Sequence, residues 1–254
     1  MPRVRDVTMT FFADLHLCPP VGNIDQTRQM VTKSAELGYC TLGMTFPIGV
    51  AQEEIRKARE VCKAVGVDLV TRIDLTPRRA TDLLKDLRRL RRMTEVIAVG
   101  CFSKEVARQA AKDRRVDLIS FPSTDPRKRF FDSAGAELAS QALASLEVDM
   151  APLLYMRGFR RIRLLAALRK EMLIAGKFRV PIVLSSGANA LSLLRKPEDY
   201  AFLAYLFGLG FHEARKAFSG NPQAVIERNR RKLSPDYVAP GVYIVRRGED
   251  CPGM

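Results

Sequence analysis

Two histidines, His16 and His212, and five cysteines are the chain's candidate nucleophiles and soft metal ligands, and their spacing limits what they can do. Two imidazoles far apart in the chain exclude a centre built on three or more histidine ligands and leave little for a histidine-based triad. Cys18, Cys40, Cys62, Cys101 and Cys251 are odd in number and contain no C-x-x-C pair. Most lie in or beside apolar runs, where a thiol behaves as a small hydrophobe. Neither a disulfide framework nor a structural zinc site is expected.

Cations offer more. Forty-two Lys and Arg against 28 Asp and Glu give a net charge of +14. That surplus favours a polyanion, RNA or DNA before an anionic membrane; a merely solvated basic surface is the plain alternative. Helical geometry over Pro77–Arg92 places Ala80, Leu83, Leu84, Leu87 and Leu90 on one face and Arg78, Lys85, Arg88, Arg89 and Arg92 on the other. A second helix puts Ile162, Leu165, Leu168, Met172 and Leu173 on its apolar side and Arg160, Arg163 and Lys170 away from it, with Arg161 beside Leu165. From Arg157 to Lys170 there is no acidic residue. A third cluster, Arg127-Lys128-Arg129-Phe130-Phe131, joins cations to rings, which suits phosphates and unpaired bases. At least one of its phenylalanines is expected to pin the loop to the core. A fourth run, Arg228, Arg230, Arg231 and Lys232, ends a helix, where the dipole alone favours cations. Arg72 and Lys104, near strand ends, complete the RNA-binding candidates.

The elements that must position these residues alternate. Strands are expected near Met9–Leu15, Tyr39–Phe46, Val67–Leu75, Val96–Phe102, Asp117–Phe121, Val148–Leu153 and Pro181–Leu184. Amphipathic helices are expected near Asp25–Leu37, Ala51–Val65, Pro77–Arg92, Lys104–Lys112, Gly135–Leu146 and Arg160–Ala175. Helical patterns follow over Pro197–Phe207, Gly210–Ser219 and Pro222–Leu233. Strict alternation demands a parallel sheet, and 254 residues with 47% hydrophobic content can close one large domain. The expected fold is α/β, a distorted (β/α) TIM-like barrel of about seven parallel strands over residues 1–233, followed by an extended tail over 234–254. An open doubly wound sheet lacks the Gly-rich loop it would want after the first strand. Apolar runs such as Ala201–Phe211 are shorter than the roughly 20 residues that span a bilayer. The N-terminus reaches an acid before any secretory apolar region, so a cytoplasmic protein with no membrane contact is expected.

In a barrel, function gathers at the C-terminal ends of the strands. Those ends hold Asp14-Leu15-His16, Arg72-Ile73-Asp74, Cys101-Phe102-Ser103-Lys104, Pro122-Ser123-Thr124-Asp125, Tyr155-Met156-Arg157 and Ser185-Ser186-Gly187-Ala188. Asp-Leu-His after a first strand resembles the opening of the polymerase-and-histidinol-phosphatase (PHP) family of metal-dependent phosphoesterases. Its next histidine is Cys18 here, and its later Asp-x-His is Ser186-Gly187-Ala188. No catalytic residue and no metal ligand is therefore assigned, and Asp14 with His16 is expected as a vestigial hydrogen-bonded pair at the barrel mouth.

A second resemblance covers almost the whole chain. Lys177-Phe178-Arg179-Val180-Pro181-Ile182-Val183-Leu184-Ser185-Ser186-Gly187-Ala188 resembles a stretch of the ribonuclease P protein component 3 family. Phe12-Ala13-Asp14-Leu15, Leu37-Gly38-Tyr39, Val116–Pro122, Arg195–Asp199, Ala217–Pro222 and Asn229–Lys232 match it in order. The resemblance implies a PHP-like barrel without its own catalytic site or cofactor. It implies a subunit of the ribonucleoprotein that cuts 5′ leaders from precursor tRNA, with Mg²⁺ held by the RNA. The implied partners are the ribonuclease P RNA, component 2 in a two-plus-two assembly, other ribonuclease P proteins and precursor tRNA. The short tail fits an archaeal rather than a eukaryotic relative. The competing readings are a metal-dependent PHP-type phosphoesterase acting alone, and a barrel acting on a small phosphorylated metabolite.

Overall fold

A computed structural model describes residues 11–20, 22–239 and 242–244. The chain runs β1 (Phe12–Leu17), α1 (Ile24–Glu36), β2 (Tyr39–Thr45), α2 (Gln52–Ala64), β3 (Asp68–Leu75), α3 (Ala80–Leu90), β4 (Val96–Gly100), α4 (Lys104–Lys112) and β5 (Leu118–Ser120). It continues through α5 (Ser133–Ala142), β6 (Ser145–Asp149), α6 (Ala151–Tyr155), α7 (Gly158–Phe178), β7 (Ile182–Ser185), α8 (Pro197–Ala204), α9 (Phe211–Ala217) and α10 (Gly220–Leu233). The seven strands form one parallel sheet in chain order, β1 to β7, as alternation requires. Met9, part of the expected first strand, lies outside the described residues.

Among the described residues the barrel closes without an eighth strand in its sheet. A single parallel bridge joins Leu17 to Ala188 beyond β7, and the Cys18 amide donates to the Ala188 carbonyl at 2.9 Å. On the lower side of the same gap the Ala13 amide donates to the Phe218 carbonyl at 2.8 Å, so the turn after α9 caps the free edge of β1. Leu15, Val70, Val96, Ala98, Leu118 and Val183 fill the barrel interior, and Val225 and Ile226 of α10 pack against them from below. Arg230 ties α10 to Asp68 at 2.7 Å and to Glu95 at 2.6 Å. Arg228 ties it to Asp117 at 3.0 Å. Two of the four cations in that C-terminal run thus hold the floor in place, a stronger role than a favourable helix end.

Two expectations shift. The helix expected over Gly135–Leu146 and the strand over Val148–Leu153 are observed as α5 ending at Ala142 and β6 at Ser145–Asp149. Leu143 ends α5 in a left-handed conformation, φ 62°, a turn usually signalled by glycine. Ala142-Leu143-Ala144 contains no breaker, so periodicity carries the expected helix too far. On α7 the buried residues are Leu164, Leu168, Glu171, Met172 and Ala175, a face rotated by about a quarter turn from the expected one; Ile162 and Leu173 are exposed. Glu171 lies in the middle of that face because Arg129 meets it there, at 2.6 and 2.7 Å. In the tail, β8 (Tyr237–Ala239) pairs antiparallel with β9 (Val242–Tyr243), apart from the barrel sheet. Pro240, Cys251 and Pro252 lie outside the described residues.

Gly43 shows how tightly β1 and β2 approach: a Cβ there would lie 2.6 Å from the Leu15 carbonyl oxygen. Gly43→Ala is expected to destabilise the chain by roughly 1–3 kcal/mol. Gly176→Ala, on an exposed turn of α7 with nothing within 4 Å, is expected to stabilise it by roughly 0.5–1 kcal/mol. Urea unfolding of both variants checks the pair; equal effects would contradict the close approach.

Candidate functional site

The period-2 alternation of strands sends Arg72 and Asp74 of β3, and Glu147 and Asp149 of β6, toward the barrel mouth beside His16 of β1. Arg72 is 1% exposed. Its guanidinium grips both Glu147 oxygens at 2.5 and 2.7 Å, the Asp74 carboxylate at 2.7 Å and the Leu15 carbonyl at 2.8 Å. Ser185 donates its hydroxyl to Glu147 at 2.7 Å. The His16 ring lies between two acids, Nδ1 at 2.7 Å from Asp149 and Nε2 at 3.1 Å from Asp74, and Asp74 also accepts from the Thr45 hydroxyl at 3.1 Å.

This arrangement corrects the expected Asp14–His16 pair. Only the His16 backbone amide meets Asp14, at 3.1 Å; the ring belongs to Asp74 and Asp149. Asp14 is fully buried and receives the Ser186 amide at 2.8 Å. Its other oxygen has no hydrogen-bond partner among the described residues. Burial pushes the Asp14 pKa up, with the Ser186 contacts and the His16 contacts offsetting part of that rise. Ser186-Gly187-Ala188 serves closure instead of ligation. Gly187 adopts φ +59°, and a Cβ there would lie 2.8 Å from the Asp149 side chain.

His16, Glu147 and Asp149 could offer ligand atoms within 4.8 Å of one another, yet their chemistry does not fit a metal. Arg72 already neutralises Glu147, using both carboxylate oxygens. Burial and the Arg72 charge both oppose a charged His16, but the Asp149 and Asp74 carboxylates outweigh them and hold its pKa well above the ordinary value. An imidazolium donating through both nitrogens has no lone pair for a cation. For Asp74, burial would raise the pKa, and the positive charges of Arg72 and His16 reverse this and hold it well below the usual range.

The cations of the sequence reading divide in two. Arg72 and Arg129 leave the RNA-binding set, because their side chains are buried in ion pairs with Glu147 and Glu171. Phe131 is buried against Phe121, ring centroids 6.0 Å apart, and pins that loop. Arg78, Lys104, Arg127, Lys128, Arg157, Arg160, Arg161 and Arg163 are exposed. They follow β3, β4, β5 and β6, which are neighbours in the sheet, so they form an arc around one side of the mouth. Lys85, Arg88 and Arg92 are exposed too, but lie along and beyond α3 toward the opposite end. Every residue from Arg157 to Arg163 is exposed. Arg161 is therefore free of the packing that its angle beside Leu165 implied. Arg163 stacks over the Phe159 ring at 4.3 Å.

The family model for RNase P subunit p30 matches residues 11–234. The chain belongs to this family. Among curated relatives, ribonuclease P protein component 3 of Methanosarcina barkeri is 32% identical over 87% of this chain and 90% of its own length. Component 3 of Methanosarcina mazei is 28% identical over 93% and 95%. A chain in a cryo-EM structure of archaeal ribonuclease P with mature tRNA superposes with TM-score 0.81 at 18% identity, covering 94% of this chain and 100% of that one. That likeness establishes the shared barrel fold. No helix among the described residues is long and apolar enough to cross a membrane.

Glu147 and Asp149 escape the sequence reading because periodicity places the sixth strand three residues late, with Tyr155-Met156-Arg157 at the mouth. The alternation Glu147-Val148-Asp149 is the available signal. His16 carries a measurable consequence. A pKa raised on folding contributes stability that is complete below the unfolded value, about 6.5, and is lost as pH rises through the folded value. Unfolding free energy is expected to fall as pH rises above about 6.5, by at most about 1.4 kcal/mol per pH unit, until the folded His16 has lost its proton. His16→Gln removes that slope. A flat profile in the unaltered protein would rule out a charged His16.

Proposed function

We propose that the chain is a protein subunit of ribonuclease P that binds the catalytic RNA and stabilises the fold in which it removes 5′ leaders from precursor tRNA. The observation that carries this reading is the acid-free, fully exposed run at the start of α7, on a chain whose family is established. Lys and Arg displace condensed counterions and let phosphates pack closely, so the RNA needs less Mg²⁺ to hold its fold. The Arg163–Phe159 stack adds a flat surface for an unpaired base. Hydrolysis of the phosphodiester, leaving a 5′-phosphate on the tRNA, belongs to the holoenzyme and its RNA-bound Mg²⁺. This chain supplies no catalytic residue and no cofactor site. Its partners in this reading are the ribonuclease P RNA, component 2 in a two-plus-two assembly, the other protein subunits and precursor tRNA, and its location is the cytoplasm. Arg72 argues against an independent metal phosphoesterase, since it fills the place among the carboxylates that a cation would need.

Precursor-tRNA cleavage by the cognate RNA and partner proteins at low Mg²⁺ is expected to fall sharply when the chain is omitted, with no cleavage by the chain alone. Unchanged cleavage would sink the proposal. After exhaustive dialysis the chain should hold far less than one equivalent of Zn, Mn or Fe; a full equivalent would favour the phosphoesterase. Replacing Arg160, Arg161 and Arg163 with Ala should weaken RNA binding about tenfold or more and reduce the salt slope by about one for each phosphate no longer neutralised, with the melting temperature unchanged.

A further inference from the structure

The end of the barrel opposite the mouth holds an open cleft of about 520 Å³, between the end of α3, the loop before β5, the end of α5 and the second half of α10. Arg91, Arg92, Arg114, Arg115, Arg228 and Lys232 line it, and none of the described lining residues is acidic. Three of these cations are engaged: Arg91 and Arg228 with the buried Asp117, and Arg115 with Asp113. Arg92, Arg114 and Lys232 have no carboxylate at ion-pair distance among the described residues, so six cations face two carboxylates. Burial, together with the charges of Arg228, Arg91 and Arg114, lowers the Lys232 pKa against the pull of Asp117. An anion in the cleft would relieve that strain. The Arg228 Nε is also buried without a hydrogen-bond partner among the described residues.

The remaining wall is apolar, formed by Ala142, Leu143, Leu233 and the Tyr237 ring. Leu143 stands at the lip, 58% exposed and held at φ 62°. A left-handed backbone is costlier for leucine than for glycine, and here it keeps an apolar side chain beside the cations. A duplex backbone offers phosphates but no flat apolar face to such a wall. An unpaired nucleotide offers both, in a cleft of the size that holds small ligands, roughly 300–1,000 Å³.

We propose that this cleft binds an unpaired nucleotide of an RNA strand, its phosphate against Arg92, Arg114 and Lys232 and its base against the apolar wall at Leu143 and Leu233. The proposal rests on the RNA-binding reading and adds to it a second RNA site, on the face opposite the mouth arc. RNA held at both ends of the barrel would fix the subunit in one orientation.

The test titrates the full-length chain with fluorescent single-stranded octauridylate and with an eight-base-pair RNA duplex, following anisotropy across a salt series. Single-strand binding is expected to exceed duplex binding. Arg114→Ala with Lys232→Ala should weaken it about tenfold and flatten the salt slope by about 0.7, the value for one single-strand phosphate. Leu143→Asn, which tolerates the left-handed backbone, should weaken it without moving the slope. Adenosine monophosphate should displace the strand at concentrations where inorganic phosphate does not. Unchanged affinity in the Arg114/Lys232 variant, while Arg160→Ala with Arg163→Ala still weakens binding, would overturn the cleft and leave the RNA reading intact. Equal displacement by phosphate would overturn the nucleotide assignment. Displacement by an acidic, leucine-rich peptide but not by adenosine monophosphate would reassign the cleft to a protein partner. No binding by the unaltered chain would count against both readings.

Discussion

The guanidinium of Arg72 is the group on which the rest of the barrel mouth depends. It reaches from β3 to the carbonyl of Leu15 on β1 and to Glu147 on β6, which in turn takes the Ser185 hydroxyl of β7. One side chain therefore links four strands across the barrel axis. Losing either member would leave an uncompensated charge in a closed interior, where breaking a buried pair costs roughly 3–5 kcal/mol. The same ion pair decides the chemistry. Carboxylates that converge as they would around a metal are satisfied by a fixed organic cation, and the neighbouring imidazole is held between Asp74 and Asp149.

That use of acids inside the barrel shapes the outside. Glu147, Asp117 and Glu171 are fully or almost fully buried, each against one or more arginines. Cations committed to these pairs stabilise the fold; those around the mouth that are not so committed face solvent. Around the mouth they come from four successive βα loops, so the sheet order itself assembles an arc that no single helix face contains. The first turn of α7 extends beyond its packing partners and presents Arg160, Arg161 and Arg163 together with Phe159 and Ile162. Phosphates and stacked bases meet such a mixture of charge and ring better than water does.

At the other end, α10 closes the barrel by a different balance. Val225 and Ile226 supply the apolar packing, while Arg228 and Arg230 hold the helix to acids at the lower ends of β3, β4 and β5. The latch collects positive charge on one side of the floor, which is where the cleft forms. Structure and surface chemistry there share the same residues. Substitutions at Arg114 and Lys232 separate the two better than substitutions at Arg228 would.

The order of strands and helices, the barrel they form and the family were legible in the sequence. Alternating apolar periods admit few parallel topologies, and short motifs such as Phe12-Ala13-Asp14-Leu15 and Val183-Leu184-Ser185-Ser186-Gly187-Ala188 carried the resemblance to the family. The basic surplus was legible too, as was the place of Arg157–Lys170 near the mouth. What the sequence could not reveal was which cations are committed to pairs. Arg72, Arg129 and Arg228 look like any other arginine until their acids, 42 to 111 residues away, are brought beside them. The true sixth strand stayed hidden because Leu143 turns the chain left-handed without a glycine. Periodicity reports which residues can share a face. Only closure of the barrel determines which charges meet inside it, because burial makes an unpaired charge too costly to leave.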